Sequence, residues 1–209
     1  MPTGMASTSG YKGLLGKMKG TITIQDRRQD FEPRRSVRDK SYRKTDMIEE
    51  IMTAETIVFG CGNTLFGDDG FGPEVVQRLK REGPLPDGVA VEDVGTSIGD
   101  ILFDLALSPE GPRSIWIVDA VRVQGRSPGE VFELEIEDIP QEKRADFSMH
   151  QFPAINLLRE LRSQGGVEIR VLAVQSEELP SEVKPGLSGS VRAAVPEALS
   201  ILRSRALSR

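Results

Sequence analysis

From residue 56 onward the chain alternates between two periodicities. Short runs of β-branched and aliphatic residues recur over 56–60, 89–94, 114–118, 130–136 and 167–174. Runs of this length, bounded by Gly, Pro or polar residues, predict strands. Between them apolar residues stand three and four apart, as in Val75, Val76 and Leu79 or in Ile101, Leu102, Leu105 and Ala106, which gives a helix one apolar face. The helices expected are 73–82, 99–107, a segment that opens near Pro153 and ends at Arg162, and 188–205, where Pro196 is expected to kink or restart the last one.

The run Ser-Ile-Trp-Ile-Val at 114–118 is almost continuously apolar and suits a central strand covered on both faces. Segment 130–136 alternates instead, with Val131, Leu134 and Ile136 as the inward residues, and reads as an edge strand. Strands and helices alternating in this way predict a three-layer α/β/α sandwich: a central, twisted, mostly parallel sheet of about five strands with one antiparallel edge strand.

Charge divides the chain. Residues 1–46 carry 11 Lys/Arg against 5 Asp/Glu, and residues 47–209 carry 16 against 27, so that net charges of +6 and −11 lie side by side. The first 46 residues are polar and basic and are expected to be an unstructured extension; Met47 or Met52 is an alternative start. Residues 47–209 are expected to form one domain. An acidic body argues against a nucleic-acid groove. No apolar run approaches the roughly 18 residues that span a bilayer, the first residues hold no apolar stretch of the length a secretion signal needs, and the single cysteine, Cys61, excludes an internal disulfide. The expected protein is cytoplasmic, away from membranes, and a monomer.

The most constrained segment is 57–73, Ile-Val-Phe-Gly-Cys-Gly-Asn-Thr-Leu-Phe-Gly-Asp-Asp-Gly-Phe-Gly-Pro. A strand runs into a loop holding five glycines and two acids, and Pro73 suits a first helical position because no amide donor is needed there. The glycine spacing departs from a dinucleotide turn, and Asp68 and Asp69 stand where a pyrophosphate would approach. No Gly-Lys-Ser/Thr phosphate loop is present.

In open α/β sheets ligands bind beyond the carboxyl ends of the strands. Asp68 and Asp69 follow the first strand, Asp93 ends the second, Asp119 ends the third, and His150, the only histidine, precedes a later helix. Carboxylates and an imidazole at one rim suit a divalent transition metal. Each also has a plainer role: a turn cap for Asp119, a helix N-terminal charge for Asp69, a structural or surface position for His150, a small packed side chain for Cys61.

The loop Gly60-Cys61-Gly62-Asn63-Thr64-Leu65-Phe66-Gly67-Asp68-Asp69-Gly70-Phe71-Gly72 resembles the G-x-G-N-x-L-x-x-D-D/E-x-x-G signature of the nickel-iron hydrogenase maturation endopeptidases. Asp93-Val94-Gly95-Thr96, Val118-Asp119-Ala120, Ser127-Pro128-Gly129 and Met149-His150-Gln151 are similar to further family stretches in the same order, over nearly all of residues 55–205. Residues 70–76, 97–104 and 150–153 resemble the archaeal members that mature coenzyme F-420-reducing hydrogenases.

This resemblance implies an endopeptidase that removes a C-terminal peptide from the precursor of a nickel-iron hydrogenase large subunit after nickel insertion. It implies Asp69, Asp119 and His150 as metal ligands and catalytic residues, with Asp69 in place of the glutamate of some members and Asp68 and Asp93 in support. The implied metal is nickel carried by the substrate, or another divalent ion in vitro. The basic N-terminal segment has no counterpart in the family. Two other classes remain: a noncatalytic nickel-dependent chaperone of the same large subunit, and a metal-independent α/β hydrolase using Cys61 or a carboxylate.

Overall fold

The structure is a computed structural model that describes residues 40–136 and 152–208. In chain order these form α1 (Lys40–Thr53), β1 (Thr56–Cys61), a 3-10 turn (Gly67–Gly70), α2 (Phe71–Arg81), β2 (Val89–Gly95), α3 (Ile98–Leu107), β3 (Ser114–Val121), β4 (Val131–Leu134), α4 (Phe152–Gly165), β5 (Glu168–Gln175) and α5 (Gly189–Arg205). The strands make one sheet in the order β2-β1-β3-β5-β4. All neighbours are parallel except β4, which runs antiparallel to β5 at the edge. The mostly parallel sheet with one antiparallel edge strand is thus as the alternation predicts.

Alternation along the central strands builds a core on each face. Ile57, Phe59 and Cys61 of β1 join Ile115 and Ile117 of β3 in one core, together with Ile51 of α1, Leu102 and Leu105 of α3, and Leu158 and Leu161 of α4. Val58, Trp116, Val118 and Leu172 face the other way, onto Val75, Val76 and Leu79 of α2 and Val195, Leu199 and Leu202 of α5. Each such fully buried aliphatic side chain contributes about 1.5–3 kcal/mol relative to an exposed one, so both helical layers are held firmly to the sheet.

Four elements depart from the sequence pattern. The helix α1 crosses the charge boundary at 46/47, because Met47, Ile51 and Met52 supply apolar anchors that dock it on the first core. The helix after the glycine loop opens at Phe71 rather than at Pro73, preceded by the 3-10 turn. Proline is compatible with that third position as well, since first-turn amides have no intrahelical acceptor. The edge strand is shorter than expected: Phe132 is its most buried member, Val131 and Leu134 are half-buried, and Ile136 is fully buried beyond the strand end. Helix α5 runs unbroken through Pro196, held by the buried face Val191, Ala194, Val195, Ala198, Leu199 and Leu202. Among the described residues no helix is long and apolar enough to cross a membrane.

Candidate active site at the sheet switch point

The connection after β1 enters α2 on one face of the sheet, whereas that after β3 leads through β4 to α4 on the other. The crevice between the carboxyl ends of β1 and β3 is therefore the switch point where α/β sheets bind ligands. Register brings the chemistry there: Gly60 pairs with Val118 and with Asp93, which sets Cys61 level with Asp119. A register shift at Gly60/Cys61 leaves Val94 as an extra residue in β2.

Helix α2 approaches this rim closely because residue 72 is glycine. A Cβ there would lie 2.3 Å from the carbonyl oxygens of both Cys61 and Val118, so any side chain would drive the helix N-terminus away from the strands. Gly62 takes φ +114°, and a Cβ at that position would fall 1.9 Å from the Asp69 carbonyl oxygen. With Gly62 N–H donating to Gly95 O at 3.1 Å, the loop is folded down between Asp69 and the end of β2.

The carboxylates are held in different ways. Asp69 is half-buried and its Oδ2 accepts the Asn63 N–H at 2.7 Å. Asp119 is only 4% exposed, and its Oδ1 accepts the N–H of Ala120 at 2.8 Å. Asp93 is exposed; its Oδ2 accepts from Gln77 Nε2 at 2.9 Å and its Oδ1 from Gly95 N–H at 3.2 Å. All three act on Cys61. Burial first, and then the negative charges of Asp119, Asp93 and Asp69, push its thiol well above the ordinary range. That thiol stays protonated at neutral pH, the opposite of what a nucleophilic cysteine needs.

Asp68, next to Asp69, points into the protein. It is 1% exposed and its carboxylate accepts hydrogen bonds from Glu177 N–H (2.9 Å), Glu178 N–H (3.2 Å), Ser188 N–H (2.7 Å) and Ser188 Oγ (3.1 Å). This anchors the 3-10 turn to the segment that leads into α5. A cavity of about 190 Å³ lies behind the turn, lined by Thr64, Gly70, Glu74, Gln77, Arg78 and Arg192 among others, and Gln77 links it to Asp93.

Two of the three expected ligands, Asp69 and Asp119, thus lie with Asp93 in the electrostatic surroundings of one buried thiol. His150 lies outside the described residues, and among those described no three His, Cys, Asp or Glu groups stand close enough to hold a metal alone. Sequence reasoning missed Asn63, Gln77 and Ser188. Asn63 carried a signal, since Asx turns bond a nearby amide, and its Oδ1 accepts the Leu65 N–H at 3.0 Å. Ser188 carried one as a helix N-cap, accepting the Val191 N–H at 3.4 Å. Gln77 carried none before the topology was known.

Fold and site together define an α/β/α protein with three carboxylates, Asp69, Asp93 and Asp119, at its switch point. A model of the hydrogenase maturation protease family matches residues 73–205. A Methanocaldococcus jannaschii protein, provisionally named a hydrogenase maturation protease, is 37% identical over 71% of this chain and 94% of its own length. The coenzyme F-420 hydrogenase subunit delta of Methanothermobacter thermautotrophicus is 33% identical over 71% of this chain and 92% of that protein. Among solved structures, the nickel-iron hydrogenase maturation protease HybD of Thermococcus kodakarensis superposes with a TM-score of 0.55, at 30% identity over 72% of this chain and 97% of that one. The chain belongs to the hydrogenase maturation protease family.

Proposed function

We propose that this protein is an endopeptidase that removes a C-terminal peptide from the precursor of a nickel-iron hydrogenase large subunit, after nickel has been inserted. Membership of the family supports the activity and the substrate class. The resemblance to the F-420 hydrogenase delta subunit favours a client of the deazaflavin-reducing type. The observation that carries the chemistry is the placing of Asp69, Asp119 and Asp93 where their charges act on the buried Cys61.

Burial and the neighbouring carboxylates disfavour a thiolate at Cys61, and in this reading the carboxylates carry the chemistry. In this reading Asp69, Asp119 and His150 are ligands for the nickel that the substrate carries on its own thiolates. Hard carboxylate oxygens and an imidazole complement soft thiolates on a first-row divalent ion, which joins recognition of the client to its nickel content. Such an ion polarises a carbonyl or acidifies a bound water. The chain's own contribution is orientation: the Asn63 and Ala120 amides fix the Asp69 and Asp119 carboxylates, and the Gln77 amide fixes Asp93 at the rim.

Incubation of the purified protein with nickel-loaded and nickel-free large-subunit precursor, followed by the mass of each C-terminus, tests this. Loss of a peptide from the loaded precursor alone is expected. Binding of the loaded precursor with no change of mass supports the chaperone instead.

A further inference from the structure

The strip of chain beside Asp69 has a feature that ligand chemistry leaves unused. At Phe66 and Lys184 two loops meet in a parallel β-bridge. Lys184 N–H donates to Leu65 O and Gly67 N–H to Lys184 O, both at 2.8 Å. That register sets Leu65 beside Val183, one residue before the bridge in each segment. Leu65 is 49% exposed and Val183 64%. Of the described residues only Phe103 and Leu107 are also large, apolar and exposed, and they lie on α3, in the helical layer opposite α2.

This ribbon is tied down at several points. Asp68 anchors both of its segments through the amides of Glu177, Glu178 and Ser188. Asn63 ties its near end to the site: its N–H donates to Asp69 Oδ2, and its Oδ1 accepts from the Leu65 N–H. The Lys184 ammonium is paired with Glu178 at 2.6 Å, so the charge on the ribbon is locally balanced.

We infer that the ribbon formed by Leu65 and Val183 is a docking surface for an extended segment of the protein substrate, seating an aliphatic side chain that flanks the scissile bond. The inference rests on the endopeptidase reading. Three observations favour this occupant. The surface is continuous with Asp69 through Asn63, so a chain lying on it leads directly to the carboxylates. Its backbone is already tied in place by the bridge and by Asp68, which lowers the ordering cost of binding. Its two exposed side chains are aliphatic and the Lys184 charge is paired with Glu178, which suits an apolar side chain better than an acidic or basic one.

The test uses the full chain and nickel-loaded precursor, with a Leu65→Ser/Val183→Ser double variant and a Phe103→Ser/Leu107→Ser control. Cleavage kinetics and the Kd for precursor are both measured, and circular dichroism checks the fold. The ribbon variant is expected to raise KM and Kd by about tenfold or more, with kcat within about twofold, while the control leaves all three unchanged. Leu65→Met keeps the apolar surface and should keep KM. Unchanged KM and Kd in the ribbon variant, or an equal rise in the control, overturns the inference. If wild type binds the precursor without shortening it, the endopeptidase reading fails, and the ratio of Kd values still decides the docking surface. If wild type does neither, both are overturned.

Discussion

Two neighbouring residues of one turn, Asp68 and Asp69, serve two regions of the molecule. Asp68 faces inward and accepts four hydrogen bonds from the segment that enters α5. Asp69 faces the rim, where its charge, with those of Asp119 and Asp93, is felt by the Cys61 thiol. Side-chain chemistry is the same in both; burial and partners separate structure from chemistry. A buried carboxylate saturated by amides is a tether, while a half-buried one among like charges has reason to seek a cation.

The largest effect should come from breaking the tether. Asp68→Ala leaves three backbone amides and a hydroxyl without their buried acceptor and is expected to lower stability by about 3–5 kcal/mol in urea unfolding. A loss below about 1 kcal/mol contradicts the tether. Next, Asp69→Ala or Asp119→Ala should reduce processing of nickel-loaded precursor by at least about 100-fold, or about 2.7 kcal/mol, since outer-shell partners of a metal alone are worth 10–100-fold. Those variants should unfold near the wild-type urea midpoint, which separates them from Asp68→Ala.

A smaller effect follows from Cys61. Its folded thiol is raised above the unfolded value of about 8.5, so above that pH the unfolded chain has lost a proton that the folded chain keeps. Stability present below pH 8.5 should therefore fall as pH rises, by up to about 1.4 kcal/mol per unit until the folded thiol titrates. Cys61→Ala should lack this contribution, and identical pH slopes in both proteins would show the thiol to be unperturbed. The smallest expected effect is on processing by Cys61→Ser, within a few-fold of wild type; inactivation with an intact fold would return the thiol to the centre of the chemistry.

The unit from β1 through the turn to α2 was legible in sequence because a β-branched run, glycines and a proline each report local backbone demands. Helix α1 was not, because its first half lies in the basic segment expected to be unstructured, and only the short run 47–53 beyond the charge boundary carries the apolar residues that dock it. The continuity of α5 through Pro196 was equally hidden, since tertiary burial overrides a local preference. At the site, the carboxyl-terminal parts of β2 and β3 located Asp93 and Asp119, although each strand runs two residues beyond its aspartate. The division of labour between Asp68 and Asp69 could not be read, because the partners of Asp68 are backbone amides more than 100 residues further along the chain. His150 was singled out as the only histidine and by family resemblance, and lies outside the described residues.

One measurement separates the two aspartates most directly: the C-terminal mass of nickel-loaded precursor after incubation with Asp68→Asn and with Asp69→Asn, side by side and below the melting temperature of both. Asp68→Asn is expected to shorten the precursor and Asp69→Asn to leave it at full length. Shortening by Asp69→Asn at the wild-type rate, with none by a folded Asp68→Asn, would exchange the two roles and contradict the assignment.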